Sequence, residues 1–435
     1  MTADAQASLV APQAAAPTRG LRNLLFFAAF FLVWLSVRPF RDLSDPGLLD
    51  PSMSGDTLNQ VSALLLSASL AVFVALNNRT IVFKAVTPLL VLTLAWFALS
   101  TLYSDYPELA ARRLLLTVLI IFNAVAFLTL PTNREHFGRL LATAAFTLLV
   151  ICFASVIIVP DLAIHQTNDV LGADLVGAWR GPFEQKNDAG AGMVILIFIS
   201  IFVARTVNVA VGTLAIALAG IFLFYTHAKS PIILLPVILL MSVILDRITN
   251  RSTKFCAVIA LPLIINFLAI GSVCSEGIHN LLASILPDVT FTGRDQIWRF
   301  TLDHIMQRPI LGYGFQAFWE TSGLISGAPP SDWVSRANSA HNGILNLAVM
   351  TGVVGALLSL LWFLVQTATD YTRLPPNDRD PMTSMFVQIW LFTACWDSME
   401  SSLFAGGDHV WFMTLVSIFG LRFQRLTLEK RWREW

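Results

Sequence analysis

Two residues in this chain combine a reactive type with an unusual position. Arg294 opens the amphipathic run RDQIWRFTLDHIMQ, and His341 stands just ahead of the long apolar run that begins at Ile344. Thr292 and Asp295 have the spacing of a helix-starting box, which puts Arg294 in a first helical turn, where the helix dipole disfavours a cation. A local rule broken without a local gain is where function is expected. A guanidinium at a helix N-terminus makes an oxyanion site, suited above all to phosphate. His341 is placed similarly, with Asn338 or Ser339 as the expected N-cap. An imidazole there can take a proton from an attacking hydroxyl, although it would serve equally as a capping or membrane-interface group.

Other basic residues repeat the pattern. In RGPFEQKN (180–187), Gly181-Pro182 imposes a turn, Asn187 or Asp188 is the expected cap of the next helix, and Lys186 lies just before it. In THAKSP (226–231), Ser230 is the expected N-cap, with Pro231 at the first helical position and Lys229 outside it. Arg180 and Lys186 would also suit membrane-interface anchors, and snorkelling accounts for Lys229 as well as binding does. Together, four helix starts on one side each carry Lys186, Lys229, Arg294 or His341. Converging positive helix ends hold anionic groups at membrane depth, so the pattern predicts an outward pocket for a phosphate or pyrophosphate.

The elements that must position these residues are membrane spans. Of the 435 residues, 56% are hydrophobic and 13% charged, with a mean hydropathy of +0.69. Twelve apolar runs are long enough to cross a bilayer, at 21–37, 58–76, 86–103, 113–130, 138–159, 189–205, 209–226, 231–246, 254–272, 343–367, 383–397 and 409–423. The fold class is therefore all-α, a polytopic membrane protein. With the N-terminus inside, 17 of the 28 Lys and Arg fall on inner segments, which satisfies the positive-inside rule and places both termini in the cytoplasm. Residues 1–20 read as a disordered tail, 21–423 as the helical domain and 424–435 as a basic tail. The first run lacks a cleavage site and reads as a retained span. The four cysteines form no C-x-x-C pair and read as small core residues.

The segment 273–341 is longer than a connection needs and carries its own helices, so it reads as a roof over a cavity. Its run Gly312-Tyr313-Gly314-Phe315 and its tip at 326–330 look hinge-like. Trp298, Tyr313, Phe315, Phe318, Trp319 and Trp333 are candidates to stack on sugars, or members of an interface belt. Arg336, Asn342 and Glu400 are further candidate sugar or acceptor contacts. Asp397, Glu400 and Asp408, near the outer end of the last helix pair, would balance the basic cluster, recognise an acceptor hydroxyl or solvate the boundary. Asp378-Arg379-Asp380 has the D-x-D form of a metal-holding string, but its short loop leaves no room for a nucleotide-binding domain. No metal site is expected.

RGPFEQKN, the basic residue with Ser at 229–230, GRDQIWRF (293–300), RPILGYGFQAF (308–318) and AHNGILNLAVMTGVVG (340–355) together resemble the O-antigen ligase and polysaccharide polymerase superfamily. The resemblance runs from about Gly177 to Phe419 and adds nothing for the first five spans. It implies a twelve-helix, GT-C-like fold in the bacterial inner membrane, with a large helical periplasmic loop and the active site facing the periplasm. It also implies an inverting glycosyltransferase that uses an undecaprenyl-pyrophosphate-linked glycan as donor, with no cofactor, metal or nucleic acid. The acceptor would be a second glycan or lipid A-core, and other polysaccharide-assembly proteins are candidate partners. By position, His341 becomes the catalytic histidine and Arg294 a pyrophosphate ligand. The superfamily's second arginine commonly follows Ser at the point where this chain has Lys229-Ser230. Lysine cannot reproduce a bidentate guanidinium contact, which makes Arg180 the candidate for that role. RGPFEQKN, the Lys-Ser pair and the run at Glu400 resemble exopolysaccharide polymerases more than lipid-A-core ligases. A transporter of lipid-linked sugars is the rival class, since helix-end anion sites and the interrupting Pro231, Pro236 and Pro262 suit it too.

Overall fold

A computed structural model describes residues 16–37, 39–45, 57–77, 80–169, 175–286, 288–319, 321, 334, 337–374 and 380–429. The helices, in order, are α1 (Ala16–Leu35), α2 (Thr57–Asn77), α3 (Thr80–Ala85), α4 (Pro88–Leu102), α5 (Pro107–Phe127), α6 (Arg134–Ile158), α7 (Pro160–Ala163), α8 (Lys186–Thr206), α9 (Val209–Tyr225), α10 (Lys229–Arg247), α11 (Arg251–Cys274), α12 (Glu276–Ala283), α13 (Arg294–Gln307), α14 (Gly343–Leu360), α15 (Thr367–Thr372), α16 (Pro381–Trp396) and α17 (His409–Glu429). A π-helical turn, Leu361–Gln366, joins α14 to α15.

Every one of the twelve apolar runs coincides with a helix, as a hydrocarbon medium requires when backbone groups must find partners within their own segment. Among the described residues, seven helices are long and apolar enough to cross a membrane, and α4 and α9 are shorter apolar helices. The protein is an all-α polytopic membrane protein. Two expected tails are partly helical: α1 starts at Ala16, inside 1–20, and α17 runs to Glu429, past 424.

Burial sorts the helices by role. From Ala189 to Ser200, every side of α8 is buried, and α16 is buried continuously from Met385 to Trp396. Helices apolar all round belong in the interior, and α8 accordingly packs on α6, α9, α10, α16 and α17. By contrast, α10 and α11 expose Ile233, Leu240, Ile264 and Phe267, a surface matched to lipid.

The large loop is fastened to the bundle at a break in α14. Gly352 has φ +72, and a Cβ there would lie 1.8 Å from the Ile310 carbonyl oxygen. Only glycine permits both the left-handed backbone and that approach. The loop segment pairs with the break: Tyr313 N donates to Val349 O (3.0 Å), Gly314 N to Met350 O (2.9 Å) and Val353 N to Pro309 O (2.8 Å). From α4, the Ser100 hydroxyl donates to Leu311 O (2.8 Å) and Met350 O (3.0 Å), and Trp96 Nε1 donates to Thr351 O (2.9 Å). Gly312–Phe315 is thus a clasp, not the hinge its glycines suggest. The first spans also carry more polar chemistry than isolated Ser and Trp residues disclose.

Replacing Gly352 with Ala combines a left-handed cost of about 1–2 kcal/mol with a backbone collision, and is expected to prevent stable folding. Ser100→Ala removes one buried donor at a cost of about 1–3 kcal/mol and is expected only to lower the unfolding temperature. Thermal unfolding of the two purified variants in detergent measures that ranking.

Candidate functional site

Glu400, in the turn between α16 and α17, joins three elements that are far apart in sequence. Its Oε1 accepts from Asn187 Nδ2 at 2.9 Å and from the Arg294 guanidinium through Nη2, and its Oε2 accepts from His341 Nδ1 at 2.8 Å. The side chains of Arg294, His341 and Glu400 are 17%, 22% and 13% exposed, so the cluster is sheltered yet open to a ligand.

Local sequence explains how each group reaches this point. Asp288 organises the turn ahead of α13, accepting from Thr290 N (2.8 Å) and Oγ1 (2.6 Å) through one oxygen and from Thr292 N (3.0 Å) through the other. Phe291, Thr292 and Gly293 all adopt positive φ there. Gly293 is the N-cap and no side chain caps α13, so the expected Thr292–Asp295 box does not form. Arg294 nevertheless becomes the first residue of the helix, as expected. Its cationic cost at that end is offset by the Glu400 carboxylate.

His341 precedes the cap of α14 and has φ +46. The cap is Asn342, not Asn338 or Ser339; its side chain accepts from Leu345 N at 3.1 Å. Asn342 is fully buried and also donates from Nδ2 to Asn266 Oδ1 (3.2 Å) and Ser398 O (3.0 Å), while its N–H donates to Ser401 Oγ (3.1 Å). Gly343 N donates to Asp397 O at 2.7 Å, and a Cβ on Gly343 would meet Asp397 Oδ2 at 1.5 Å. The Ala-His-Asn-Gly run therefore pins His341 beside the 397–402 turn that carries Glu400. Asn342 positions backbone and is not a free sugar contact.

The electrostatics follow from this packing. Burial works to raise the Glu400 pKa, but the nearby Arg294 and His341 and the hydrogen bonds from His341 and Asn187 hold it below the ordinary value. An ionised carboxylate only accepts, so Nδ1 of His341 carries the hydrogen, and in the neutral imidazole Nε2 is the proton-accepting face. That is the orienting arrangement of a base held by a carboxylate. Asp408, ahead of α17, is pushed up to about 7 by burial and by the charges of Glu400 and Glu184.

The remaining candidates are distributed differently. Arg180 is buried and donates to Phe183 O (3.1 Å) and Arg41 O (2.8 Å), tying its own turn together. Lys186 and Lys229 are the first residues of α8 and α10, not residues just outside them, and neither Asn187, Asp188 nor Ser230 is the N-cap. The hydrogen bonds from Thr290 and Thr292 hold the Asp288 carboxyl below its ordinary value, and the charge of Lys229 adds to them, which links α10 to the turn before Arg294. Trp298 is fully buried against Phe291 (ring centroids 5.3 Å) and offers no face to a sugar. Tyr313 is covered by the Arg308 guanidinium at 4.5 Å and donates to Gln307 Oε1 at 3.1 Å. Phe315, Phe318 and Trp319 are core residues. Arg336, Trp333 and the tip at 326–330 lie outside the described residues. Asp380 of the D-x-D string caps α16 through Met382 N (3.1 Å) and pairs with Arg134 (2.8 Å); Asp378 and Arg379 lie outside the described residues. Among the described residues, no group of three His, Cys, Asp or Glu side chains is placed to hold a metal ion. Asn187 was legible only as a cap, and its bond to Glu400 spans 213 positions.

Comparison with known proteins bears on the same region. The O-antigen ligase family profile matches residues 214–360, a stretch that includes Lys229, Arg294 and His341. The chain is also similar to the exopolysaccharide production protein ExoQ of Rhizobium meliloti (strain 1021), 27% identical over 121 residues. That alignment covers 26% of this chain and 27% of the relative's length.

An acid whose pKa is raised on folding loses stability as pH climbs from its unfolded value to its folded one. For Asp408 this penalty is absent at low pH, grows from the ordinary carboxylate range upward and is complete above about 7. Asp408→Asn removes it while keeping an acceptor for Val410 N. The variant is therefore expected to gain more thermal stability over wild type at pH 8 than at pH 5, and melting curves at the two values check this.

Proposed function

We propose that this integral membrane protein of the O-antigen ligase/polymerase-like superfamily is a glycosyltransferase that extends a polysaccharide from an undecaprenyl-pyrophosphate-linked donor. The observation that carries the reading is the single carboxylate, Glu400, that binds both a guanidinium at a helix N-terminus and an imidazole. The first group suits a diphosphate, and the second suits an acceptor hydroxyl.

The chemistry needs little beyond these parts. A pyrophosphate-activated sugar already has a leaving group, so the protein must align donor and acceptor, stabilise the departing charge and remove one proton. The acceptor hydroxyl gives its proton to Nε2 of His341 while its oxygen attacks the anomeric carbon. The bond from that carbon to the pyrophosphate oxygen breaks, and the leaving group departs with the electron pair toward Arg294. Lys186 and Lys229 are the further candidates for charge stabilisation, and Arg180 could join them only by giving up its bonds to Phe183 O and Arg41 O. Attack opposite the departing group inverts the anomeric carbon. In this reading side-chain cations supply the positive charge and no metal takes part. The loop face of the bundle would be the periplasmic face.

Similarity to an exopolysaccharide production protein supports a role in making polysaccharide, and we read that role as polymerisation with a second lipid-linked repeat unit as acceptor. The family description, O-antigen ligase, supports the second reading, ligation, for which the acceptor would be lipid A-core. A transporter fits less well, because the cluster around Glu400 gathers at one end of the helices and, among the described residues, does not continue as a path across them.

Purified protein given a lipid-linked donor is expected to produce a ladder of glycans differing by one repeat unit. A single product on lipid A-core would select ligation, and leaflet exchange without new glycosidic bonds would select transport. His341→Ala is expected to lower turnover about 100-fold or more, the scale of lost general-base catalysis, while donor still binds. Near-normal turnover in that variant would overturn the assignment. Arg294→Lys should lose donor affinity, because an ammonium cannot supply the guanidinium fork.

A further inference from the structure

Glu400 stands between the two groups that the proposed reaction uses, and its bonds to them are unequal in kind. Arg294 reaches it through one nitrogen onto one oxygen, leaving the rest of the guanidinium fork uncommitted to the carboxylate. His341 holds the other oxygen at 2.8 Å, and Asn187 shares the first at 2.9 Å. If Arg294 left, Glu400 would still have a donor on each oxygen. The surroundings of the carboxylate are otherwise acidic: Asp408 at the start of α17, Asp188 in α8 and Glu184 ahead of α8 all act on one another or on Glu400 through their charge. An incoming diphosphate therefore meets an Arg294 that is already engaged by Glu400.

We propose that Arg294 changes partner during turnover, sitting on Glu400 in the bare site and moving to the pyrophosphate of the donor, so that donor binding releases the carboxylate to His341. This rests on the reading above that the donor carries a pyrophosphate. A monodentate carboxylate contact is exchanged for a forked contact to phosphate oxygens, the geometry guanidinium favours. The released Glu400 keeps its bonds to Asn187 and His341, so no buried charge is orphaned. Without the guanidinium drawing on its charge, the carboxylate accepts more strongly from Nδ1–H of His341, and Nε2 becomes the stronger base. The base thus reaches working strength only when a donor is present. Asn187 acquires a specific task, keeping Glu400 in place after Arg294 departs.

The test is a double-mutant cycle on the purified full-length protein, with affinity for undecaprenyl pyrophosphate and turnover measured separately. Glu400→Gln should bind the pyrophosphate lipid roughly tenfold more tightly, about 1.4 kcal/mol, because Arg294 no longer has to be detached. Its turnover should fall about 100-fold, because the base loses its carboxylate. In an Arg294→Met background, which itself binds weakly, Glu400→Gln should bring no further tightening. Equal tightening in both backgrounds would overturn the exchange, since it would reflect only the removal of a repelling charge. Unchanged or weaker binding in Glu400→Gln would also overturn it. If Arg294→Met leaves affinity unchanged, the pyrophosphate reading itself fails, and with it this inference. A measurement on the unaltered protein guards against misfolded variants: the Nδ1–H resonance of His341, assigned by its loss in His341→Ala, should shift downfield when the lipid binds. A resonance that stays in place overturns the proposal.

Discussion

A carboxylate sheltered at the end of a helical membrane bundle must be compensated, and the way Glu400 is compensated organises the site. Glu400 has two oxygens and three donors, one each from α8, the start of α13 and the loop before α14. Each donor brings its own element with it. Stripping all three donors from the carboxylate would expose an uncompensated charge, so the elements that carry them are held to one place. The requirement also runs in reverse. Arg294 stands at a helix end that repels cations, and His341 stands in a left-handed backbone conformation, so both occupy places that only the assembled site makes favourable.

Beneath this cluster lies a second constraint, the backbone of α14. Breaking a helix in an apolar interior frees carbonyl groups that must be bonded elsewhere. Here Ser100 and Trp96 from α4 and the backbone of 309–314 bond to the interrupted turn. The break therefore converts a potential defect into the attachment point of the large loop. Because α13 leads directly into that attachment and α14 begins directly after His341, the clasp at Gly352 and the cluster at Glu400 fix two ends of one unit. The backbone segments that carry Arg294 and His341 belong to that unit, with Glu400 as the third corner.

How far the sequence could be read depended on the range of the interactions involved. Apolar periodicity is local, and all twelve runs became helices because hydrocarbon leaves a backbone few alternatives. Residue types with a marked local context, Arg294 in a first turn and His341 ahead of an apolar run, were visible for the same reason. Caps were harder: Thr292, Ser339 and Ser230 had suitable chemistry, but the left-handed turn at 291–293, the buried Asn342 and the approach of neighbouring helices moved each helix start by one to three residues. The aromatics of the loop misled in the other direction. Trp298, Phe315 and Trp319 looked available to sugars, yet the loop needed a core of its own and took them.

Composition and hydrophobic spacing by themselves determined that this chain is a bundle of membrane helices and that its reactive groups lie at helix ends. They also determined the motifs by which it resembles a family of polysaccharide enzymes. Tertiary structure alone decided that Glu400, rather than Asp397 or Asp408, meets Arg294 and His341, 106 and 59 positions away. It likewise decided that Asn187 completes the group and that the glycines at 312 and 352 form a clasp. The reason is physical: helix formation and membrane insertion depend on neighbouring residues, whereas pairing a sheltered charge depends on which distant segments the packing brings within hydrogen-bond reach.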